Sequence, residues 1–118
     1  MRLIGDFVGK PFTVLIATDH GGFELKQQLT EHLRANCVDY EDLGPHEHDP
    51  TDDYPDYASV LAQRIANGEG DCGILICRTG AGMCINANRF PYVRAAVVDS
   101  VDKARLSRTH NAANVLVT

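Results

Sequence analysis

The chain has 118 residues, 44% of them hydrophobic and 23% charged, with a formal net charge of −5. That length suits one domain around a single core, and no apolar run approaches the ~18 residues of a membrane span. Net acidity, without a basic run interleaved with aromatics, excludes a nucleic-acid footprint.

In chain order, residues 1–12 read as an N-terminal extension and residues 13–118 as the domain. Residues 13–18 (TVLIAT) are a continuous apolar, β-branched run, the mark of a strand buried on both faces. Asp19, His20, Gly21 and Gly22 make a turn, after which Phe23, Leu25, Leu29 and Leu33 recur at near-helical spacing. Residues 37–43 read as a second, more polar strand closed by Gly44 and Pro45. The loop over 46–53 is acidic, and Asp53 with Pro55 marks a helix start. Tyr57, Val60, Leu61 and Ile65 form its apolar stripe, and Asn67-Gly68 ends it.

A third strand over 74–76 runs into Cys77 and a loop with two glycines, then into a short helix through Asn88 that Pro91 breaks. Residues 93–98 are a fourth strand, Asp99-Ser100 caps a helix to about Thr109, and residues 115–117 are a fifth strand. This alternation predicts an α/β fold: a doubly wound (Rossmann-like) five-stranded parallel sheet with flanking helices and right-handed crossovers. The chain stops on the fifth strand, where a layered architecture places one more helix. The N-terminal residues are too mixed for a signal peptide. The four cysteines, Cys37, Cys72, Cys77 and Cys84, are therefore expected as reduced thiols in a cytoplasmic protein. Cys84, on the helix after the loop, reads as a small packing residue.

Residues 74–83 (ILICRTGAGM) are the candidate site. A buried strand feeding a helix N-terminus presents backbone N–H groups and positive partial charge above the sheet's carboxyl edge, where such folds bind ligands. A thiol there is either a tuned acid/base or a small core residue. Up to Asp71 the chain carries 5 Lys/Arg against 14 Asp/Glu, and from Cys72 onward 6 against 2. The half holding the glycine loop is thus the positive half, which favours a small anionic ligand. The cluster His46, Glu47, His48, Asp49, Asp52 and Asp53 contains ligand-type side chains, but no second Cys/His pair stands at zinc spacing. A solvated acidic loop is the expectation, and no metal site.

Residues 17–26 (ATDHGGFELK), 53–58 (DYPDYA), 73–82 (GILICRTGAG) and 107–116 (SRTHNAANVL) together resemble the type B ribose-5-phosphate isomerase family, which extends to galactose-6-phosphate isomerase subunits. The resemblance runs from about Thr13 to the last residue. It implies a cofactor-free, metal-independent interconversion of ribose 5-phosphate and ribulose 5-phosphate through an enediolate. Cys77 matches the family's base; a free thiol near ~8.5 is mostly protonated at neutral pH, but a helix N-terminus or a cation such as Arg78 can lower it. Thr79 matches the residue whose hydroxyl orients the thiol, or else is a turn former. Gly80, Ala81 and Gly82 supply amides to the enediolate's anion hole.

By the same resemblance His110 is the ring-opening acid/base, the alternative being a helix C-terminal His facing the dipole. Asn111 binds sugar hydroxyls, Asp19 meets the ring oxygen or hydroxyls, and His20 binds phosphate across a subunit interface. The bland reading of Asp19 is a helix cap. The family's pocket takes residues from two subunits, so a homodimer or tetramer is expected. Its usual residue after the cysteine is Gly. Arg78 there costs ~1–2 kcal/mol if the backbone needs positive φ; otherwise its guanidinium can reach the substrate phosphate. The family also continues past the fifth strand with further arginines; Arg89, Arg94, Arg105 and Arg108 are those present here. Three functions stay open: a pentose-phosphate isomerase, a hexose-phosphate isomerase subunit, and a non-catalytic phosphosugar-binding module.

Overall fold

The computed structural model describes residues 12–44 and 54–118, apart from the side chains of His20, Tyr54, Pro55 and Asp56. The expectations for the N-terminal extension before Phe12 and for the acidic loop fall outside those residues. Five parallel strands, β1 (Thr13–Thr18), β2 (Asp39–Gly44), β3 (Cys72–Ile76), β4 (Ala95–Val97) and β5 (Val115–Val117), lie in the order β2-β1-β3-β5-β4. The helices α1 (Phe23–Ala35), α2 (Tyr54–Ala66), α3 (Ala81–Ala87) and α4 (Val101–Asn111) connect them. Right-handed crossovers place α2 and α3 on one face and α1 and α4 on the other. The expected doubly wound α/β fold is what forms.

The core follows from strand alternation. Leu15, Ala17, Leu75, Val115 and Val117 pack with Ala58, Leu61, Ala62 and Ile65 of α2 and with Met83 and Ala87 of α3. Ile16, Thr18 and Ile76 are buried beneath the opposite face. There the turn His20–Gly22 comes very close to the sheet: a Cβ at Gly22 would overlap Thr18 Oγ1 and Ile76 Cγ2. Gly22→Ala is therefore expected to cost at least ~2 kcal/mol, because both obstacles belong to packed strands; urea unfolding measures it, and an unchanged midpoint would contradict it.

Strand limits and the buried face of α1 differ in places from the sequence expectation. The strand expected from Cys37 starts at Asp39, because Cys37 takes φ 57° and closes α1, with its N–H on Arg34 O and that of Val38 on Leu33 O. The strand expected over 93–98 shortens to Ala95–Val97. Before it the Asn114 side chain accepts from Arg94 N and donates to Tyr92 O, both at 2.8 Å. In α1 the buried positions are Lys26 and Thr30, while Leu25 is 40% exposed and Leu29 and Leu33 are half-buried. Lys26 turns inward because Asp42 meets its ammonium with both oxygens, at 2.8 and 2.9 Å.

At the β4 edge, α3 covers the strand's outer hydrogen-bonding groups. Asn88 Oδ1 accepts from Ala95 N at 2.7 Å, and its Nδ2 donates to Ala95 O at 3.0 Å. Cys84 Sγ reaches the same carbonyl at 3.4 Å. Cys84 thus packs as expected and also seals this edge. All four cysteines are free thiols.

Candidate functional site

The site is built at the carboxyl ends of β1 and β3. Asp19 N donates to Ile76 O (3.2 Å) and Cys77 N donates to Thr118 O (2.8 Å), so three chain segments are tied together just above the sheet. A cavity of about 250 Å³ opens there, lined by Asp19, Cys77, Arg78, Thr79, Gly82 and Met83. Five of these are expected site residues: Asp19 from the β1 motif, and Cys77, Arg78, Thr79 and Gly82 from the β3 motif 58 or more positions later. Met83 was not; it is fully buried and forms the floor, at a helical position three residues after Gly80.

Gly80 takes φ 79° at the N-cap of α3, a left-handed turn suited to glycine. This brings its N–H to 2.9 Å from Cys77 Sγ. Burial pushes the Cys77 thiol above its ordinary value; the Gly80 N–H opposes that, Asp19's charge adds to it, and the N–H groups of Met83 and Thr79 oppose it. The expected lowering by Arg78 and the helix N-terminus is thus reversed in direction: the amides act, but burial outweighs them. Alkylation of Cys77 by iodoacetamide should be slow at pH 7 and accelerate with pH, since only the thiolate reacts. Its midpoint should lie above the ordinary thiol range; peptide mass spectrometry reads this, and a midpoint below that range would contradict it.

Of the two readings of Thr79, the contact its hydroxyl makes is the turn-forming one. Its Oγ1 accepts from Ala81 N at 3.3 Å, a turn-forming contact, and it is the backbone N–H of Thr79 that bears on the sulfur. Arg78 is exposed at the cavity mouth and is not among the residues with positive φ, so it carries no left-handed strain. Asp19 caps the turn, its Oδ1 accepting from Gly21 N at 2.9 Å, and the residue also lines the cavity. The His20 backbone belongs to the same turn.

His110 and Asn111 are not brought to this cavity within one chain. Helix α4 leaves the carboxyl end of β4 and returns to the amino end of β5, and both residues occupy its last turn. Cys77 lies at the other end of the sheet, a strand length away, ~16 Å for the five residues of β3. His110 is exposed there, in the last turn of α4. The Asn111 carbonyl accepts from Arg94 Nε at 2.8 Å, beside a groove lined by Asn88, Val93, Arg94, Ala95, Ala96 and Ala113.

A larger, apolar groove of about 410 Å³ lies on the α4 face, between α4 and β3 and β5. It holds Cys72, whose thiol is pushed up to about 11, chiefly by burial, with Arg108 opposing and Asp71 adding. That thiol stays protonated at neutral pH and has no amide cradle, so volume does not make this groove the reactive site. Among the described residues no three His, Cys, Asp or Glu side chains cluster to hold a metal ion, and no helix is long and apolar enough to cross a membrane.

Residues 14–118 match the family described as Ribose/Galactose Isomerase. The chain is 46% identical over 106 residues to a probable ribose-5-phosphate isomerase B of Mycoplasma genitalium, covering 89% of this chain and 70% of the relative. It is 46% identical over 103 residues to ribose-5-phosphate isomerase B of Escherichia coli, covering 87% and 68%. Among solved structures, a ribose 5-phosphate isomerase of Thermotoga maritima superposes with a TM-score of 0.86 at 45% identity, covering 90% of this chain and 72% of that one. The Mycoplasma genitalium enzyme with bound ribulose-5-phosphate gives 0.85 at 45%, covering 91% and 72%. With a family match across nearly the whole domain, and the same fold at 45% identity, this chain belongs to the ribose/galactose isomerase family.

Proposed function

We propose that this chain is an aldose–ketose isomerase that interconverts ribose 5-phosphate and ribulose 5-phosphate, with Cys77 as the base. The observation that carries this is the Cys77 thiol in a small cavity, with Gly80 N–H on its sulfur and Asp19 facing it. His110 moves a proton from O1–H to the ring oxygen, which opens the sugar. The Cys77 thiolate then takes the C2 hydrogen, and the electron pair shifts to give a 1,2-enediolate. The thiol returns the proton to C1, and a proton passes from O2 to O1. Asp19 contacts the ring oxygen or hydroxyls.

Amides of Gly80, Ala81 and Gly82 stabilise the oxyanion, an effect often worth ~3–4 kcal/mol per donor. Without the sugar, the Gly80 and Ala81 N–H groups rest on Cys77 Sγ and Thr79 Oγ1, and they turn to the oxyanion as its charge develops. Arg78 at the mouth and His20 bind the phosphate, and Asn111 the hydroxyls. Because α4 ends at the far edge of the sheet, His110 and Asn111 serve the Cys77 site of a second copy, in a homodimer or tetramer.

The test is ketose formation from ribose 5-phosphate by the purified chain, with six-carbon aldose phosphates as the comparison. Absence of any ketose would overturn the proposal. Mixing Cys77→Ala with His110→Ala subunits tests the shared site. Random dimers regain about a quarter of wild-type activity, since half are hybrids with one intact site of two. No regain would place both groups on one chain.

A further inference from the structure

The wall of the Cys77 cavity that carries Asp19 is a short turn, and a turn needs something to fix its outer side. Its inner side is fixed by contact: Gly22 presses on Thr18 and Ile76, and Thr18 Oγ1 donates to Ile76 O at 2.8 Å. The nearest candidate is Lys26, fully buried, one turn into α1, the helix that continues from the turn. Its ammonium lies 5.4 Å from the centroid of the Phe23 ring, at the junction of turn and helix.

The same ammonium binds both oxygens of Asp42, and Asp42 Oδ1 also accepts from Gly44 N at 2.9 Å. This is where the β1–β2 register shifts, from Ile16 opposite Asp42 to Ala17 opposite Gly44. The ion pair therefore joins the start of α1 to an irregularity at the carboxyl end of β2. Its energetics do not account for its presence, since replacing a buried pair by apolar side chains of similar volume is often neutral or stabilising.

We propose that the Lys26–Asp42 ion pair is a positioning device for the Cys77 cavity, holding through Phe23 the turn that presents Asp19. It rests on the isomerase reading for its effect on turnover, but not for its effect on the thiol. Asp19 is one of the groups that raise the Cys77 thiol, so a displaced turn changes when that thiol ionises.

The experiment compares the wild-type chain with Lys26→Met/Asp42→Leu and with Phe23→Leu, which keeps the pair but removes the ring between it and the turn. Three readouts are thermal melting, kcat/KM on ribose 5-phosphate, and the pH profile of Cys77 alkylation. The double variant is expected to melt within ~5 °C of wild type. Its kcat/KM should fall tenfold or more, since small misplacements cost about that or more, and the alkylation midpoint should move to lower pH. Phe23→Leu should shift both readouts the same way by a smaller factor. A folded variant of either kind with kcat/KM within twofold and an unchanged alkylation profile would overturn the proposal. A wild-type chain without turnover would sink the isomerase reading alone, because alkylation still reports on the turn.

Discussion

Cys77→Ala is expected to lower turnover of ribose 5-phosphate by ~10²–10⁴-fold while leaving the fold intact, the range typical of losing a positioned general base. Cys77 is half-buried at the rim of the core, so removing one sulfur creates little cavity. Cys77→Ser should not restore the rate, because an alcohol ionises far above a thiol. In the wild type, kcat/KM should climb as pH rises toward the thiol's raised value, since the active form is the thiolate and burial favours the thiol. Circular dichroism confirms folding, and an initial-rate assay reads the loss. A Cys77→Ala chain that keeps a tenth of wild-type turnover would remove the cysteine from the chemistry.

Asp42→Ala is expected to cost ~3–5 kcal/mol, because it strands the Lys26 ammonium in the interior without its carboxylate. Against a typical total of ~5–15 kcal/mol that is a large share, and for a domain of this size it lowers Tm on the order of 20 °C. The contrast is Lys103 with Asp99, a 2.9 Å pair whose side chains are 62% and 73% exposed. Breaking that pair should leave stability nearly unchanged, because water screens both charges. Thermal and urea unfolding of Asp42→Ala and Asp99→Ala side by side check both. Equal effects would mean that water reaches Lys26.

The limits of β1 and β5, and the position of the cysteine loop, were legible because doubly buried parallel strands must be unbroken apolar runs. The inner face of α1 was not. Leu25, Leu29 and Leu33 carry the apolar period, yet the helix buries Lys26, whose partner lies sixteen residues away on another element. A local pattern cannot register a non-local charge. Cys37 in a left-handed conformation carries no glycine to mark it, and the hydroxyl of Thr79, open to two readings in the sequence, meets the amide of Ala81.

The separation of His110 from Cys77 was within reach of topology alone. A crossover helix that leaves one edge of a parallel sheet must end at the opposite edge, so the last turn of α4 and the loop after β3 cannot meet in one chain. Motif order conveys adjacency along the chain and nothing about which rim of the sheet each motif occupies.

The way Asn88 and Cys84 occupy Ala95 bears on how copies of this molecule can associate. A side-chain amide that mimics a neighbouring strand leaves no open rung at that position for a foreign backbone to dock onto, so lateral growth of the sheet is blocked at its outer margin. Any assembly on that flank must proceed by side chains of helices and loops, a selective mode of contact, and fibril-like stacking is denied one of its two starting points.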